Sequence, residues 1–169
     1  MKLPKTIIVT GTPGSGKTTL AKKISKRLSL YYFDVNKFIS LEKIAEGYDK
    51  KRKSRIVDSK KLSRKIIEKI KQFEKNDMTK FCGIIIDSHL SHYLPKKHAD
   101  FCIVSKCDIK ELNKRLGKRG YPKKKIEENL QAEIFDICLN EAREAGHKII
   151  LADTTKDFNI NKIIKKIGG

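Results

Sequence analysis

The chain has 169 residues, with 39 Lys and Arg against 20 Asp and Glu, for a formal charge of +19. A 38% apolar content supports one packed domain and excludes a disordered chain. The longest apolar runs, such as Ile84-Ile85-Ile86, are far too short for a membrane-spanning helix.

Thr6-Ile7-Ile8-Val9-Thr10, after Pro4, is β-branched and reads as a buried strand. A glycine-rich loop follows within the first sixteen residues, which leaves no room for a signal peptide. Leu20, Ile24 and Leu28 then recur every four residues on a helix predicted to begin near Lys17. Leu30 to Phe33 is a second strand, ending at Asp34. A helix is expected over 36–45, and a polar, basic, irregular segment over 47–57. Leu62, Ile66, Ile67, Ile70 and Phe73 mark an amphipathic helix.

Residues 81–87 and 99–105 read as the third and fourth strands. Asp108 can cap a helix carrying Leu112 and Leu116 that stops at Gly120. Pro122 stands where a helix-starting proline would, before one long helix carrying Ile126, Leu130, Ile134, Ile137 and Cys138 and ending at Gly146. Residues 147–152 form a fifth strand, and Phe158 to Ile167 a last helical face. Apolar strands alternating with helices predict an α/β fold, a parallel sheet covered on both faces.

Gly11-Thr12-Pro13-Gly14-Ser15-Gly16-Lys17-Thr18 matches GxxxxGK[ST] at every fixed position, between a strand and a helix. Such a loop turns successive N–H groups inward and adds the positive end of the helix dipole, a cradle for ATP phosphates. Gly14, Ser15 and Gly16 supply the backbone. Lys17 is placed for the β- and γ-phosphates, Thr18 for Mg²⁺ and Thr19 for the α-phosphate. Asp87, at a strand's carboxyl end, is the candidate for holding Mg²⁺ through water, and His89 for orienting an attacking water or hydroxyl.

Ser105-Lys106-Cys107-Asp108 imitates a guanine-reading tetrapeptide, but Asp87-Ser88-His89-Leu90 lacks the glycine of a GTPase switch. Arg115 and Arg119 lie four apart on one helix and are candidates for neutralising a transferred phosphoryl group. Arg52, Arg55 and Arg64 could receive a second, phosphorylated substrate. The four cysteines have no CxxC spacing, and small buried hydrophobes are their simplest role; nothing in the spacing of Cys82, His89 and His92 argues for zinc. The basic charge suits a polyanionic partner, although lysine-rich composition alone can also produce it.

GTPGSGKTTLAKKIS, GYD…VD…KL over 47–62, IIIDSHL, and RLGKRGYPKKKIEENLQAEIF over 115–135 together resemble the adenylate kinase isoenzyme 6 family. The last stretch is the most specific. The resemblance implies a P-loop nucleoside monophosphate kinase fold with a five-stranded parallel sheet. It also implies conversion of ATP and AMP to two ADP, ATP hydrolysis, and a place in small-subunit rRNA maturation. A small-subunit ribosomal protein and rRNA are the partners implied, and the location is cytoplasmic, or nuclear in a eukaryote. Matched by position, a monophosphate-binding insertion is expected over about 34–57, with Asp34 at its start, and a short lid over about 118–128. Arg119 is expected to touch ATP and Lys156 its adenine side. The lid carries few arginines, which leaves open an ATPase switch with little kinase activity, or another small metabolite as phosphate acceptor.

Overall fold

The computed structural model describes residues 6–75 and 80–168. Pro4, read above as preceding the first strand, lies outside them. Among the described residues seven strands and seven α-helices follow one another: β1 (Thr6–Thr10), α1 (Lys17–Leu28), β2 (Leu30–Asp34), α2 (Val35–Leu41), β3 (Gly47–Asp49), β4 (Ser54–Ile56), α3 (Ser59–Lys75), β5 (Gly83–Asp87), β6 (Phe101–Lys106), α4 (Ile109–Lys118), α5 (Lys123–Ile134), α6 (Ile137–Glu144), β7 (Ile149–Asp153) and α7 (Ile160–Gly168). Five strands form one parallel sheet in the order β2-β5-β1-β6-β7. This is the P-loop kinase sheet expected from the sequence.

The central strands β1, β5 and β6 are buried along nearly their whole length because both faces are covered. In β1, Ile8 points to the layer formed with α2, α3 and α6, while Ile7 and Val9 point to the α1 and α7 layer. β5 divides in the same way, Ile84 and Ile86 against Ile85. After β1 the chain moves first to β2 and β5 on one side, then to β6 and β7 on the other. The carboxyl end of β1 is therefore the topological switch point, where such sheets bind ligands.

Two segments differ from the sequence expectation. Residues 47–57 are not irregular: β3 and β4 pair antiparallel, with Gly47 opposite Ile56 and Tyr48 opposite Arg55. Asp49 Oδ1 accepts the Arg52 N–H at 2.9 Å and closes the turn. Three-residue strands on the surface carry too little alternation to be recognised. Second, the helix expected to run from Pro122 to Gly146 is broken. Asp136 adopts φ 53° and separates α5 from α6. Ile134, Phe135 and Ile137 are exposed at the break. Pro122 stands just before the first turn of α5 rather than within it. α2 also differs, ending at Leu41 and not at 45.

Candidate active site

The phosphate loop is shaped by close packing beneath it. Gly11 has φ 135°, and a Cβ there would come within 2.5 Å of the Ser105 carbonyl oxygen. Only glycine permits that approach. Gly16 opens α1 at φ 94°. Thr154, from the turn after β7, donates its hydroxyl to the Ser15 carbonyl, and the Ser15 and Ser105 hydroxyls share a 2.5 Å hydrogen bond. Ser15 is thus fully buried and fixes the loop from below.

Lys17 is 8% exposed, and its Nζ donates to the Thr12 carbonyl at 2.9 Å. Burial lowers its pKa from 10.5 to about 8, against the opposing pull of Asp87. Thr18 Oγ1 donates to Asp87 Oδ2 at 2.6 Å, and the Tyr32 hydroxyl donates to the same oxygen at 2.8 Å. Burial, with the Asp87 hydrogen bond added, pushes the Tyr32 phenol up. β2 and β5 are neighbours, so Tyr32 reaches Asp87 across the sheet edge. Nothing local along the chain points to Tyr32, since its partner lies 55 residues away.

His89 stands at the same cavity. Burial first, and then the Lys17 charge, depress its pKa to about 4. The ring is therefore neutral at physiological pH. It can accept or donate one hydrogen bond at each nitrogen but carries no charge. His92 lies below it, with Nδ1 2.7 Å from Thr10 Oγ1 and Nε2 2.9 Å from Glu141 Oε2. That pairing accounts for His92 without a metal.

One cavity of about 860 Å³ joins the phosphate loop to the β3–β4 hairpin. Gly14, Gly16, Lys17, Thr18, Thr19, Asp87, His89 and Arg119 reach it from the sheet side, and Arg52 and Arg55 from the hairpin. Asn36 and Tyr48 join the hairpin wall, and Tyr121, Lys125 and Glu128 the opposite wall. Polar residues at facing walls suit two phosphate-bearing molecules held end to end.

The remaining sequence candidates lie elsewhere. Arg115 does not line the cavity: it is held by Glu111 at 2.9 Å and donates to the Thr154 and Thr155 carbonyls at 2.8 and 3.0 Å. It braces the turn under Gly16, whereas Arg119, past the end of α4, is the member of the pair that lines the cavity. Asp34 caps α2 by accepting from the Lys37 N–H at 3.0 Å and does not line the cavity. Arg64 is exposed on α3, and Lys156 is exposed after β7; neither lines it. Within the guanine-like tetrapeptide, Lys106 Nζ is taken by Asp136 at 2.5 Å and Glu133 at 3.0 Å, and Asp108 Oδ1 caps α4 by accepting the Lys110 and Glu111 N–H groups.

Comparisons with known proteins agree with this architecture. A family model described as an AAA domain matches residues 7–136. A Methanocaldococcus jannaschii protein, provisionally named an adenylate kinase, is 36% identical over 95% of this chain and 85% of its own length. The Saccharomyces cerevisiae adenylate kinase isoenzyme 6 homolog FAP7 is 35% identical over 94% and 79%, and a Caenorhabditis elegans adenylate kinase isoenzyme 6 homolog 30% identical over 96% and 88%. An unliganded sugar kinase from Janibacter sp. HTCC2649 shares the fold, with a TM-score of 0.62 at 18% identity over 96% of this chain and 91% of that one. With the phosphate loop, the parallel sheet and this kinship over nearly the whole chain, the protein belongs to the adenylate kinase isoenzyme 6 family of P-loop kinases.

Proposed function

We propose that the protein transfers the γ-phosphoryl group of ATP to AMP, giving two ADP, and hydrolyses ATP slowly when AMP is absent. The single cavity running from Lys17 to the Arg52–Arg55 hairpin carries this reading, because transfer needs donor and acceptor in line within one enclosed space. Lys17 and Arg119 neutralise charge on the phosphoryl group as it moves. His89, neutral, orients the acceptor oxygen or a water without taking a full charge. Arg52, Arg55, Asn36 and Tyr48 receive the monophosphate.

The hydroxyl of Thr18 and the carboxylate of Asp87 fit Mg²⁺, which takes few protein oxygens and completes its shell with water and phosphates. Among the described residues no group of three or more His, Cys, Asp or Glu could hold a metal alone, in keeping with an ion that arrives with the nucleotide. When bound, Mg²⁺ would polarise the phosphate oxygens. The turn at 119–122 and the first turns of α5 form a short lid, which excludes water less completely than a long one. ADP formation from ATP with and without AMP tests the proposal. No increase on adding AMP sinks the kinase reading and leaves the hydrolase.

A second reading, service in small-subunit rRNA maturation, draws support from one face. α1 and α7 pack side by side and contain no acidic residue. Lys22, Lys23, Lys26, Arg27, Lys162, Lys165 and Lys166 are all exposed there. No large apolar side chain is exposed on either helix, so the face suits phosphate backbone better than an apolar protein anchor. Replacing Lys22, Lys26 and Lys165 by glutamine should flatten the log–log salt dependence of duplex RNA binding by about 2.7. An unchanged slope, or no RNA binding by the intact protein, removes this support.

A further inference from the structure

The stretch Gln131-Ala132-Glu133-Ile134-Phe135 closes residues 115–135, the most specific part of the family resemblance, yet the phosphate chemistry above does not use its glutamate. Its glutamate is 4% exposed, near the end of α5. A carboxylate buried to that degree needs donors around it. Glu133 has three. Oε1 accepts the Cys107 N–H at 2.8 Å and lies 3.0 Å from Lys106 Nζ. Oε2 accepts the Thr12 hydroxyl at 2.5 Å.

Thr12 occupies one of the unspecified positions of the phosphate-loop pattern. It is also the pivot of the loop. Its carbonyl accepts both the Ser15 N–H at 3.0 Å and Lys17 Nζ at 2.9 Å. Whatever fixes Thr12 therefore fixes the curl of the loop and the resting place of the lysine ammonium. Thr12 and Glu133 lie 121 residues apart in sequence, and no other described side chain holds the Thr12 hydroxyl.

We propose that Glu133 is a positioning residue for the phosphate loop, acting through the Thr12 hydroxyl, and that it links the loop to the helix roofing the cavity. α5 carries Lys125, Glu128 and Asn129 to the cavity wall on its outer turns and Glu133 to the loop on its inner end. The left-handed Asp136 stops the helix just beyond, and Lys106 pins that joint through Asp136 at 2.5 Å and the Glu133 carbonyl at 3.0 Å. A shift of the roof then moves Glu133, and through it the loop. If Glu133 served only to fasten α5 to the end of β6, its bonds to Cys107 and Lys106 would suffice and the Thr12 hydroxyl would be dispensable.

This inference rests on the loop's binding ATP, and the test separates the two claims. The full chain is prepared as wild type, Thr12→Val, Thr12→Ser, Glu133→Gln, and Thr12→Val with Glu133→Gln. ATP affinity is measured by calorimetry, ADP formation by coupled assay, and Tm by thermal unfolding. Thr12→Val keeps the shape and removes the hydroxyl; Thr12→Ser keeps the hydroxyl. The expected result is about a tenfold loss of ATP affinity or kcat/KM for Thr12→Val and for Glu133→Gln, near-wild-type behaviour for Thr12→Ser, and a double variant no worse than the poorer single one. Wild-type values for Thr12→Val, or losses that multiply in the double variant, overturn the proposal while leaving the ATP reading intact. Failure of the wild type to bind ATP overturns both. Should Glu133→Gln not fold, the Thr12→Val and Thr12→Ser pair still decides.

Discussion

The two ends of the cavity are built differently. At the phosphate loop the supporting groups are buried and hydrogen-bonded: Ser15 by Ser105 and Thr154, Thr12 by Glu133, Asp87 by Thr18 and Tyr32. At the hairpin the contacts are exposed. Arg52 reaches Glu128 of α5 at 3.1 Å with its side chain 56% exposed, and Lys125 Nζ reaches the Lys53 carbonyl at 3.3 Å. Buried, multiply bonded groups hold one geometry, and exposed ion pairs exchange with water at little cost. The phosphate-loop end is therefore preorganised and the hairpin end is held more loosely. The Arg52–Glu128 and Lys125–Lys53 contacts bridge the mouth, so in the proposed reaction an entering monophosphate would compete with them.

The largest expected effect comes from the rigid end. Lys17→Ala removes the one buried cation of the loop and should cost about 10²- to 10³-fold in kcat/KM. Unchanged ATP affinity measured by calorimetry would refute its assigned role. Asp87→Asn comes next. It keeps an acceptor for Thr18 but removes the charge, and kcat should fall on the order of 100-fold with KM for ATP less affected. Equal kcat in Mg²⁺-saturated assays would place Asp87 outside the chemistry.

Titration sharpens the contrast further. The free enzyme's Lys17 has its pKa lowered to about 8, so kcat/KM should fall about tenfold per pH unit above 8 as the ammonium is lost. Stability runs the other way. The unfolded lysine still holds its proton between about 8 and 10.5, so through that window the unfolded state binds more protons and the fold gains stability as pH rises. On the acid side, His89 is kept neutral in the fold down to about 4 but charges near 6.5 when unfolded. The unfolded state then takes up the extra proton, and Tm should drop as pH falls from about 6.5 to 4. A Tm unchanged over that range in His89→Gln, against a falling wild type, assigns the effect to His89.

The smallest effect belongs to the open end. Glu128→Gln frees Arg52 from an exposed pair worth at most about 1 kcal/mol. KM for AMP should drop by up to about fivefold while KM for ATP stays constant. A rise in KM for AMP would mean that the bridge helps to shape the acceptor site instead of shielding it.

The phosphate loop, the five buried strands and the capped helix after Asp108 were readable along the chain because each is specified by local chemistry. Glycines permit the loop, continuous β-branched runs make the strands, and Asp108 accepts the Lys110 and Glu111 N–H groups as a cap should. The hairpin was hidden because Tyr48 and Arg55 pair on an exposed surface where alternation carries little burial. The break at Asp136 was hidden because Ile134 and Ile137 continue a helical spacing, and what stops the helix is Lys106, thirty residues upstream. Spacing placed Arg115 and Arg119 on one helical face. Only the packing of Thr154 and Thr155 against Arg115 turned one of them into a brace and left the other at the cavity.

By itself, then, the sequence determined the nucleotide-phosphate grip, the sheet and the family, since these depend on residues near one another in the chain. The tertiary structure decided which charges face the cavity, that Tyr32 and Glu133 bond to Asp87 and Thr12, and that the hairpin is bridged to α5. Those outcomes rest on hydrogen bonds between residues 39 to 121 positions apart, and only the completed fold brings such partners within reach.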